Sequence, residues 1–458
     1  MNEGQQTALD AILYGVEDFA LHGAAGTGKT TVLQTAAMIL DPDRVIFLAP
    51  TNKALTVLQS KLPDGFFSRT IQSFLRMERI KEEGNEIFKV TSVGIQKAAQ
   101  FLAEKDFDMI IVDESSMISS EIESALLSVI SGSCKLIRCI WSGDKYQLPP
   151  PLGEKALSFW QPKYAVELIE VVRHGGAVLE YATKIRQDFD KFAESPEACK
   201  KGGSEILLLK EHQWEEMFIK DARENGTTAR AICWTNASVN ALSSSLRLEL
   251  FGAETAFRWL PGEVLQFRKR YIIPDIYKAR FNNSSEVIVL ESEDATVDQS
   301  IFKPFKLEYT TRIKGVPGVV EWSPSGTVHK LKVARIDLLT GEQCDGFIDN
   351  VYTLPTVSPL RLELAKVKKS LRKIKSSNYK YSASEYRKAW KCVTDFEDYF
   401  ASLGSAFVMT VHRSQGSTFD KTYIHKDIWM ARLTGAELLN PLVYTATTRS
   451  RVASIFSY

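Results

Sequence analysis

Cysteine is scarce in this sequence, and its six cysteines are not spaced for a zinc site or for a disulfide framework. No two of them form a C-x-x-C pair; they are Cys134, Cys139, Cys199, Cys233, Cys344 and Cys392. We therefore expect a protein of a reducing cytoplasm.

Long apolar runs are also absent. Nowhere do about 18 apolar residues follow one another, which is the length that a membrane helix needs. The first ten residues, MNEGQQTALD, are polar and acidic, whereas a secretory signal has a basic start and an apolar centre. The sequence therefore predicts neither secretion nor contact with a membrane.

Net charge is nearly absent, because 57 basic residues balance 56 acidic residues to leave +1. Any surface for nucleic acid must therefore come from the local distribution of charge. The chain is 44% hydrophobic and 25% charged, as in ordinary folded proteins, and its 458 residues predict three or four compact units.

Apolar runs alternate with helical patterns in the first 150 residues, which predicts a parallel α/β sheet. The runs are EDFALHG, RVIFLAP, FDMIIVDE and KLIRCIWSGD. Strands of such a sheet are buried on both faces, and chemistry lies at their carboxyl ends. A second pattern of this kind begins at ARAICWTNAS and resumes at SAFVMTVHRSQG, KTYIHK and PLVYTATTRSR.

Two segments interrupt these patterns. Residues from about 77 to 106 are charged and contain a candidate hairpin around Gly84 and Asn85. Residues 283–405 alternate polar and apolar positions, as in EVIVLES and VHKLKVARIDLL, which predicts a β-rich insertion. We predict a first α/β domain at 1–175, a second at 176–282 and 406–458, and the insertion between its two parts.

The strongest motif is GAAGTGKT, at positions 23 to 30, which matches G-x-x-x-x-G-K-[ST] between a strand pattern and a helix pattern. In such a loop glycines let backbone N–H groups face phosphate oxygens, the lysine reaches the β- and γ-phosphates, and the final hydroxyl binds Mg²⁺. We predict that this loop binds and hydrolyses ATP. The predicted contacts are Gly23, Ala24, Ala25, Gly26, Thr27, Gly28, Lys29, Thr30 and Thr31.

Two later strand patterns end in polar groups that suit the same reaction. MIIVDESS ends in Asp113 and Glu114, and adjacent carboxylates after a buried strand need a cation opposite. We predict that Asp113 holds Mg²⁺ through water and that Glu114 polarises the attacking water. Gln147, after the strand that ends in SGD, is predicted to sense the γ-phosphate. The alternatives are a helix cap for the carboxylates and a plain turn for Gln147.

Seven segments resemble, in order, the motifs of superfamily 1 helicases. They are GAAGTGKT, LAPTNKA, SRTIQSFL, IIVDESSM, SGDKYQLPP, TVHRSQGST and VYTATTRSR. The set is most similar to the RecD-type and Pif-type branch, superfamily 1B, and within it to small phage-encoded helicases. The resemblance implies two RecA-like P-loop motor domains, with a small hairpin insertion in the first and an SH3-like β-rich insertion in the second.

The resemblance also implies further residues of the ATP site. Gln5 resembles the glutamine that reads the adenine edge, and Arg173 and Arg449 resemble two arginines that reach the γ-phosphate. Gln415 and Gly416 resemble the motif that joins nucleotide state to the grip on DNA. The alternative for Arg173 is a surface salt bridge, and Arg449 has a competitor in Arg451.

Contacts with single-stranded nucleic acid are implied in the same way. The residues concerned are Thr51, Asn52, Thr70, Asn236, Thr410 and His412, with Phe88 as the pin that splits base pairs. A structural polar role, and for Phe88 packing on its own domain, are the alternatives. Relatives have a histidine where this chain has Gln72, which puts stacking on DNA at that position in question.

Residues 361–391 carry 11 Lys or Arg against 2 Glu, interleaved with Tyr379, Tyr381, Tyr386 and Trp390. Such a stretch either follows DNA phosphates or forms solvated helix faces. The sequence does not decide between these two interpretations.

The motifs together predict an ATP- and Mg²⁺-dependent DNA helicase of replication, repair or recombination. It would move 5′ to 3′ on single-stranded DNA and unwind forked DNA, as a monomer in a bacterial or phage-infected cell. A single-strand-binding protein or replisome components are the expected protein partners. The alternatives are an RNA helicase, a 3′-to-5′ helicase, and a P-loop switch that binds nucleic acid without unwinding it.

Overall fold

The computed structural model describes residues 1–82, 85–150, 153–171, 176–273, 280–311, 315–337, 343–355, 358–377 and 379–458. The chain forms two compact units. Unit 1 contains Met1–Glu78, Phe88–Leu242 and Phe407–Tyr458, and unit 2 contains Arg79–Ile87 and Ser243–Ala406. No helix in the described parts of the chain is both long and apolar enough to span a bilayer.

The first α/β domain begins with a helix and alternates strands with helices. Its elements are α1 (Glu3–Tyr14), β1 (Phe19–Gly23), α2 (Lys29–Ala37), β2 (Val45–Ala49), α3 (Asn52–Gln59), β3 (Phe67–Thr70), α4 (Ile71–Phe74), β4 (Glu78–Glu82), β5 (Asn85–Lys89), α5 (Ser92–Ala103), β6 (Met109–Val112), α6 (Ser120–Gly132), β7 (Arg138–Gly143), α7 (Leu157–Trp160) and β8 (Ala165–Leu168).

Six of these strands form one parallel sheet in the order β3-β2-β6-β7-β1-β8. Successive residues of β6 point into different cores, since Ile110 and Val112 join one apolar cluster and Met109 and Ile111 join another. Helices cover both faces, which is why the strands read as continuous apolar runs. The predicted parallel α/β sheet is confirmed.

The segment predicted as a hairpin insertion at 77–106 has two parts in the structure. Strands β4 and β5 form a two-stranded sheet, as the turn pattern predicts. Helix α5, however, buries Ala98, Ala99 and Leu102 in the core beside α6. This helix therefore belongs to the first domain, because its apolar face has its partner there.

The chain continues through α8 (Gly176–Gln187), β9 (Cys199–Lys201), β10 (Ser204–Leu209), α9 (Glu211–Asn225), β11 (Ala229–Cys233), α10 (Asn236–Phe251), β12 (Val264–Phe267), β13 (Tyr271–Ile272), β14 (Arg280–Phe281), β15 (Glu286–Val297), β16 (Phe305–Thr310), β17 (Pro317–Trp322), β18 (Gly326–Ile336), β19 (Gln343–Thr353), α11 (Pro359–Ser376), β20 (Lys380–Tyr381), α12 (Ala383–Tyr399), β21 (Leu403–Ser405), β22 (Val408–Thr410), α13 (Val411–Ser414), β23 (Phe419–Ile424), α14 (Ala436–Thr447) and β24 (Ser450–Ser457). Short 3₁₀ helices lie at Ser115–Met117, Gly226–Thr228, Ala253–Ala256 and Lys426–Leu433.

Unit 1 contains a second six-stranded sheet, in the order β22-β11-β23-β24-β10-β9. Its strands are parallel except β9, which is antiparallel to β10. The two segments predicted to share one domain, before and after the β-rich insertion, thus contribute strands to the same sheet. The carboxyl ends of β22 and β11 lie next to each other at one edge.

Unit 2 is built around an antiparallel sheet in the order β19-β18-β15-β12-β21. The alternating patterns that predicted strands correspond to β15, β16 and β18. Helices α11 and α12 share a core with β16 and β17, and α11 buries residues three or four positions apart: Leu360, Leu364, Val367, Leu371 and Ile374. The SH3-like description of this insertion stays a prediction.

Candidate functional site

The phosphate-binding loop joins β1 to α2, the position that its sequence predicts. Gly26 and Gly28 both have φ of 85°, a left-handed conformation that favours glycine. A Cβ on Gly28 would lie 2.5 Å from Nε2 of Gln5. Two requirements, backbone conformation and space, therefore select glycine at this position.

We expect Gly28→Ala to destabilise the protein by about 2 to 3 kcal/mol in urea unfolding. A left-handed alanine costs about 1 to 2 kcal/mol, and Gln5 must release its hydrogen bond to Thr27 O, worth about 1 kcal/mol. Gly203→Ala is the matched control, because Gly203 has φ of 82° but nothing within 4 Å of a Cβ. Equal losses for the two variants would contradict the role of the Gln5 contact.

Lys29 folds back over the loop that precedes it. Its Nζ donates hydrogen bonds to Gly23 O at 2.7 Å and to Ala24 O at 3.2 Å. The first turn of α2 also contains Thr30 and Thr31. The ammonium therefore lies above the loop, where it can exchange carbonyl oxygens for phosphate oxygens.

Asp113 and Glu114 follow β6 at the adjoining strand end. Burial raises the pKa of both carboxyl groups, and Asp113 raises that of Glu114 further, while Lys29 opposes both shifts. Glu114 has φ of 52° and ψ of 40°, which is uncommon for a residue with a side chain and turns the chain sharply after the strand. Such strained residues cluster at functional sites.

The residues near the loop fit a magnesium ion. Thr30 offers a hydroxyl and Asp113 a carboxylate, and Asp113 Oδ1 also accepts a hydrogen bond from Ser142 Oγ at 3.0 Å. These are the oxygen ligands that Mg²⁺ prefers. A cation would also offset the repulsion between two buried carboxylates.

Asp144, which follows β7, organises the loop that carries Gln147. Its Oδ1 accepts from the Tyr146 N–H at 3.0 Å, and its Oδ2 accepts from Gln147 Nε2 at 3.4 Å. Gln147 is only 3% exposed, and its Oε1 is buried without a hydrogen-bond partner in the described residues. An amide oxygen without a partner is consistent with a group that awaits a ligand.

Arg449 comes to this site from the second sheet, at the end of α14. It is 5% exposed, and its guanidinium donates to Thr445 O at 3.1 Å and to Ser417 O at 3.3 Å. Its charge also opposes the rise in the pKa of Glu114. The fold thus brings Arg449 near the carboxylate predicted to polarise water.

Gln415 and Gly416 lie between the nucleotide side and α3. Gln415 Nε2 donates to Leu148 O at 3.5 Å, just after Gln147. A Cβ on Gly416 would lie 3.7 Å from Ala54 in α3. The pair therefore contacts both of the regions that its predicted role would connect.

Gln5 is buried above the loop in a capping box at the start of α1. Its Oε1 accepts from the Asn2 N–H at 3.1 Å, and its Nε2 donates to Thr27 O at 3.1 Å. The amide thereby links the first helix to the phosphate-binding loop. Arg173, the other arginine predicted to reach the γ-phosphate, lies outside the described residues.

The residues predicted to contact nucleic acid lie together at one edge of each sheet. Thr51 and Asn52 follow β2, and Thr70 ends β3, the neighbour of β2 at an edge of the first sheet. Asn236 follows β11, Thr410 ends β22 and His412 lies in α13, at an edge of the second sheet. Both sets therefore lie at carboxyl ends of strands, and the first set is next to β6, which Asp113 and Glu114 follow.

Several of these polar groups also have structural partners. The hydroxyls of Thr51 and Thr70 cap α3 and α4, accepting from backbone N–H groups at 3.1 and 3.3 Å. Gln72 donates to Pro50 O at 3.0 Å, and burial lowers the pKa of His412, so its imidazole is neutral at neutral pH. Asn236, in contrast, is exposed.

The segment before Asn236 is ordered by a residue that the sequence did not single out. Asp427 accepts hydrogen bonds from the N–H groups of Trp234 and Thr235, both at 2.9 Å. Cys233 and His425 lie beside it, but these contacts engage both carboxylate oxygens. The sequence offers no signal for this role, since nearly 200 residues separate Asp427 from its partners.

Phe88 and the basic stretch have different surroundings. Phe88 is 51% exposed near the end of β5. In contrast, the aromatic residues within 361–391 pack against the core of unit 2, and Tyr379 stacks on Tyr309 with ring centroids 5.3 Å apart. Most of the basic residues of this stretch are exposed, so a contact with DNA phosphates stays a prediction, whereas the aromatic residues between them are partly buried.

Comparisons with known proteins identify relatives for the whole chain and for its first part. A family model described as an AAA domain matches residues 1–197. An uncharacterized protein of Acanthamoeba polyphaga mimivirus is 24% identical over 456 residues, which cover 90% of this chain and 89% of that protein.

Two relatives are named for an activity, and the chain spans only a small part of each. The DNA replication ATP-dependent helicase/nuclease DNA2 of Saccharomyces cerevisiae is 30% identical over 173 residues, or 33% of this chain and 11% of that protein. The RecD subunit of the RecBCD enzyme of Buchnera aphidicola is 30% identical over 148 residues, or 30% of this chain and 24% of that protein.

A solved structure matches the chain over its full length. The Pif1 helicase of Candida albicans aligns with 100% of this chain and 94% of its own, with a TM-score of 0.51 and 16% identity. Its fold contains the two RecA-like domains that the sequence motifs imply. This chain therefore has the fold of Pif1 helicases, and its first 197 residues carry the match to AAA domains.

Proposed function

We propose that this protein is an ATP-dependent DNA helicase of the Pif1 and RecD type, which moves 5′ to 3′ on single-stranded DNA and unwinds duplexes. One observation carries the proposal. The phosphate-binding loop and Glu114 belong to the first sheet, whereas Arg449 reaches the same site from the second. A nucleotide site that needs both sheets can convert hydrolysis into movement between them.

Hydrolysis would follow the in-line route of P-loop enzymes. The loop amides and Lys29 would hold the phosphates, while Thr30 and Asp113 would hold Mg²⁺, which neutralises charge on the phosphate oxygens. Glu114 would orient and polarise the attacking water. Gln147, Arg173 and Arg449 would contact the γ-phosphate, where the planar guanidinium forks pair with its oxygens.

Coupling to DNA would pass through Gln415 and Gly416. They contact Leu148 on the nucleotide side and Ala54 in α3, and α3 begins at Asn52. Lys53 of the same helix lies 5.6 Å from the ring of Phe419, next to Thr418 at the end of this motif. A shift of the second sheet on ATP binding would thus reach the residues proposed to grip the strand.

The grip itself would use backbone and polar contacts. We propose that one strand crosses Thr51, Asn52 and Thr70 and then Asn236, Thr410 and His412, because each set lies at carboxyl ends at an edge of its sheet. Phe88, half exposed on its hairpin, would separate the base pairs of forked DNA. Such binding is sequence-tolerant and weakens with salt.

The proposals about subgroup, oligomeric state and cellular location rest on the order of the seven helicase-like motifs in the sequence. We propose a place among the small phage-encoded members of this branch, with action as a monomer in the cytoplasm of a bacterium or of a phage-infected cell. A single-strand-binding protein or replisome components are the proposed partners. The names of the yeast DNA2 and Buchnera RecD relatives support a role in DNA replication or repair.

Unwinding assays on tailed duplexes test the proposal. We expect unwinding of DNA with a 5′ single-stranded tail, at least about tenfold faster than with a 3′ tail, since a strand gripped in one orientation is followed in one direction. Blunt DNA duplexes and the same tailed duplexes made of RNA are the controls. Unwinding only from 3′ tails would refute the polarity, and unwinding only of RNA would refute the substrate. Turnover that DNA does not stimulate would point to a nucleotide switch.

A further inference from the structure

Tyr444 links the two sheets of unit 1 at the phosphate-binding loop. Its side chain is 1% exposed and belongs to α14, the helix that connects β23 and β24 of the second sheet. Its hydroxyl accepts a hydrogen bond from the Ala25 N–H at 3.2 Å and donates one to Asp144 Oδ2 at 2.8 Å. A single hydroxyl thus contacts both the loop that holds phosphates and the residue that organises the Gln147 loop.

The direction of these two hydrogen bonds follows from the protonation of the tyrosine. Burial raises the pKa of Tyr444, and the carboxylate of Asp144 raises it further. The hydroxyl therefore stays protonated at neutral pH and donates a hydrogen bond to the Asp144 carboxylate. Its oxygen is left to accept from Ala25, as a phosphate oxygen would.

Ala25 follows Ala24, whose carbonyl oxygen accepts a hydrogen bond from the lysine that reaches the γ-phosphate in such loops. Helix α2 begins at Lys29, so the amides next to that residue form the helix N-terminus that suits the β-phosphate. The Lys29 ammonium, which reaches the γ-phosphate in such loops, lies instead over Gly23 O and Ala24 O. The tyrosine oxygen consequently accepts a hydrogen bond from a backbone N–H that lies beside the expected position of the γ-phosphate.

A cationic side chain, Arg186, lies on the side of Tyr444 that faces the loop. A small cavity next to the loop is lined by Ala24, Ala25, Arg186 and Tyr444, among others. Nε of Arg186 is buried and has no hydrogen-bond partner in the described part of the chain. A buried donor of this kind is costly until an acceptor reaches it.

We propose that Tyr444 is a positioning residue, whose hydroxyl competes with the γ-phosphate of ATP for the Ala25 N–H. The inference rests on the proposed ATP site. ADP has no γ-phosphate and leaves the link in place. After phosphate departs, the hydroxyl returns to Ala25 and draws back α14, which carries Arg449 five residues further along.

Binding measurements on Tyr444→Phe test this inference, because phenylalanine keeps the ring and removes both hydrogen bonds. In calorimetry we expect adenosine 5′-(β,γ-imido)triphosphate to bind about fivefold more tightly, since the competitor for one typical hydrogen bond is gone. ADP should bind as before. An equal change for both nucleotides, or weaker binding of the triphosphate, would overturn the proposal.

Tyr423→Phe is the matched control. Tyr423 is also buried in the second sheet, and its hydroxyl donates to Asp221 Oδ2 at 2.5 Å, away from the loop. It should lose stability as Tyr444→Phe does, with no change in the ratio of the two affinities. If the control shifted that ratio as well, the effect would belong to lost stability and the proposal would fail.

Hydrogen exchange gives a second measurement on the same variants. Without nucleotide, the peptide that contains Ala25 should exchange faster in Tyr444→Phe than in the parent protein, and with the imido-triphosphate the two should match. Equal exchange without nucleotide would refute the link. Neither measurement involves DNA, so a failure of unwinding would leave this inference standing, whereas a protein that binds no ATP would remove its basis.

Discussion

Lys29→Ala is expected to abolish DNA-stimulated ATP hydrolysis while the protein stays folded. The ammonium lies over the loop, and removal of a preorganised group from a phosphoryl-transfer site costs about 10³-fold in rate. Among the described residues, its Nζ donates to the carbonyl oxygens of Gly23 and Ala24, so its loss leaves no buried charge unpaired. Phosphate release and thermal unfolding, measured on the same preparation, check the two parts of this result.

Lys163→Ala is the control for that variant, since Lys163 is exposed and lies 3.9 Å from Glu17 in a surface ion pair. Surface pairs contribute at most about 1 kcal/mol. It should keep full hydrolysis. Persistent turnover in Lys29→Ala would show that the proposed route of hydrolysis is wrong.

Arg449→Ala is expected to lower kcat by about 10³-fold, the lower end of the effect of an arginine that stabilises phosphoryl transfer. Affinity for ATP should change much less, because the phosphate-binding loop lies on the first sheet. Arg449→Lys should recover little activity, since an ammonium cannot form the paired hydrogen bonds of a guanidinium. Single-turnover kinetics and nucleotide titration separate the two quantities.

Arg451, two residues further along in β24, provides the comparison. It is exposed and pairs with Asp420 at 2.7 Å, so Arg451→Ala should leave hydrolysis intact. The opposite pattern, with loss in Arg451→Ala and activity in Arg449→Ala, would transfer the proposed role to the second arginine. Both variants should also be compared by thermal unfolding, since Arg449 bonds to Thr445 and Ser417 in its own domain.

The central strands were predictable because burial on both faces leaves a continuous apolar signal. Residues 109–112 illustrate this, since every one of them is buried and none is polar. The role of α5 was not predictable in the same way. Its apolar face is equally suited to an insertion or to the main core, and only the position of α6 decides between them.

Some site residues could be predicted from local sequence, whereas others depend on contacts between distant segments. The phosphate-binding loop, Asp113 and Glu114 stand directly after strands, so local sequence places them at one sheet edge. The link from Tyr444 to Ala25 joins residues 419 positions apart, and no pattern in either segment indicates it. The contact of the Gln5 amide with Thr27 O was equally hidden, because it depends on where α1 docks.

Some polar residues that were assigned to DNA binding by resemblance alone also have a structural role. Thr51 and Thr70 lie at the expected strand ends, but their hydroxyls cap helices. A threonine before a helix satisfies the pattern of a cap and that of a nucleic-acid contact equally well. Their contribution to binding therefore stays a prediction.

The strand order of the second sheet also governs how the protein is made. Strands β10 and β11 are not neighbours, because β24 and β23 lie between them, and these two strands are synthesised well after β11. At typical rates of synthesis, the ribosome needs about ten seconds or more to pass from β11 to β23. During that interval the first sheet is complete, while β11 and the side of β10 opposite β9 lack their partner strands. A nascent chain can thus complete its phosphate-binding loop well before Tyr444 and Arg449 are synthesised. In the proposed mechanism, the growing chain could therefore bind a nucleotide before it could hydrolyse one.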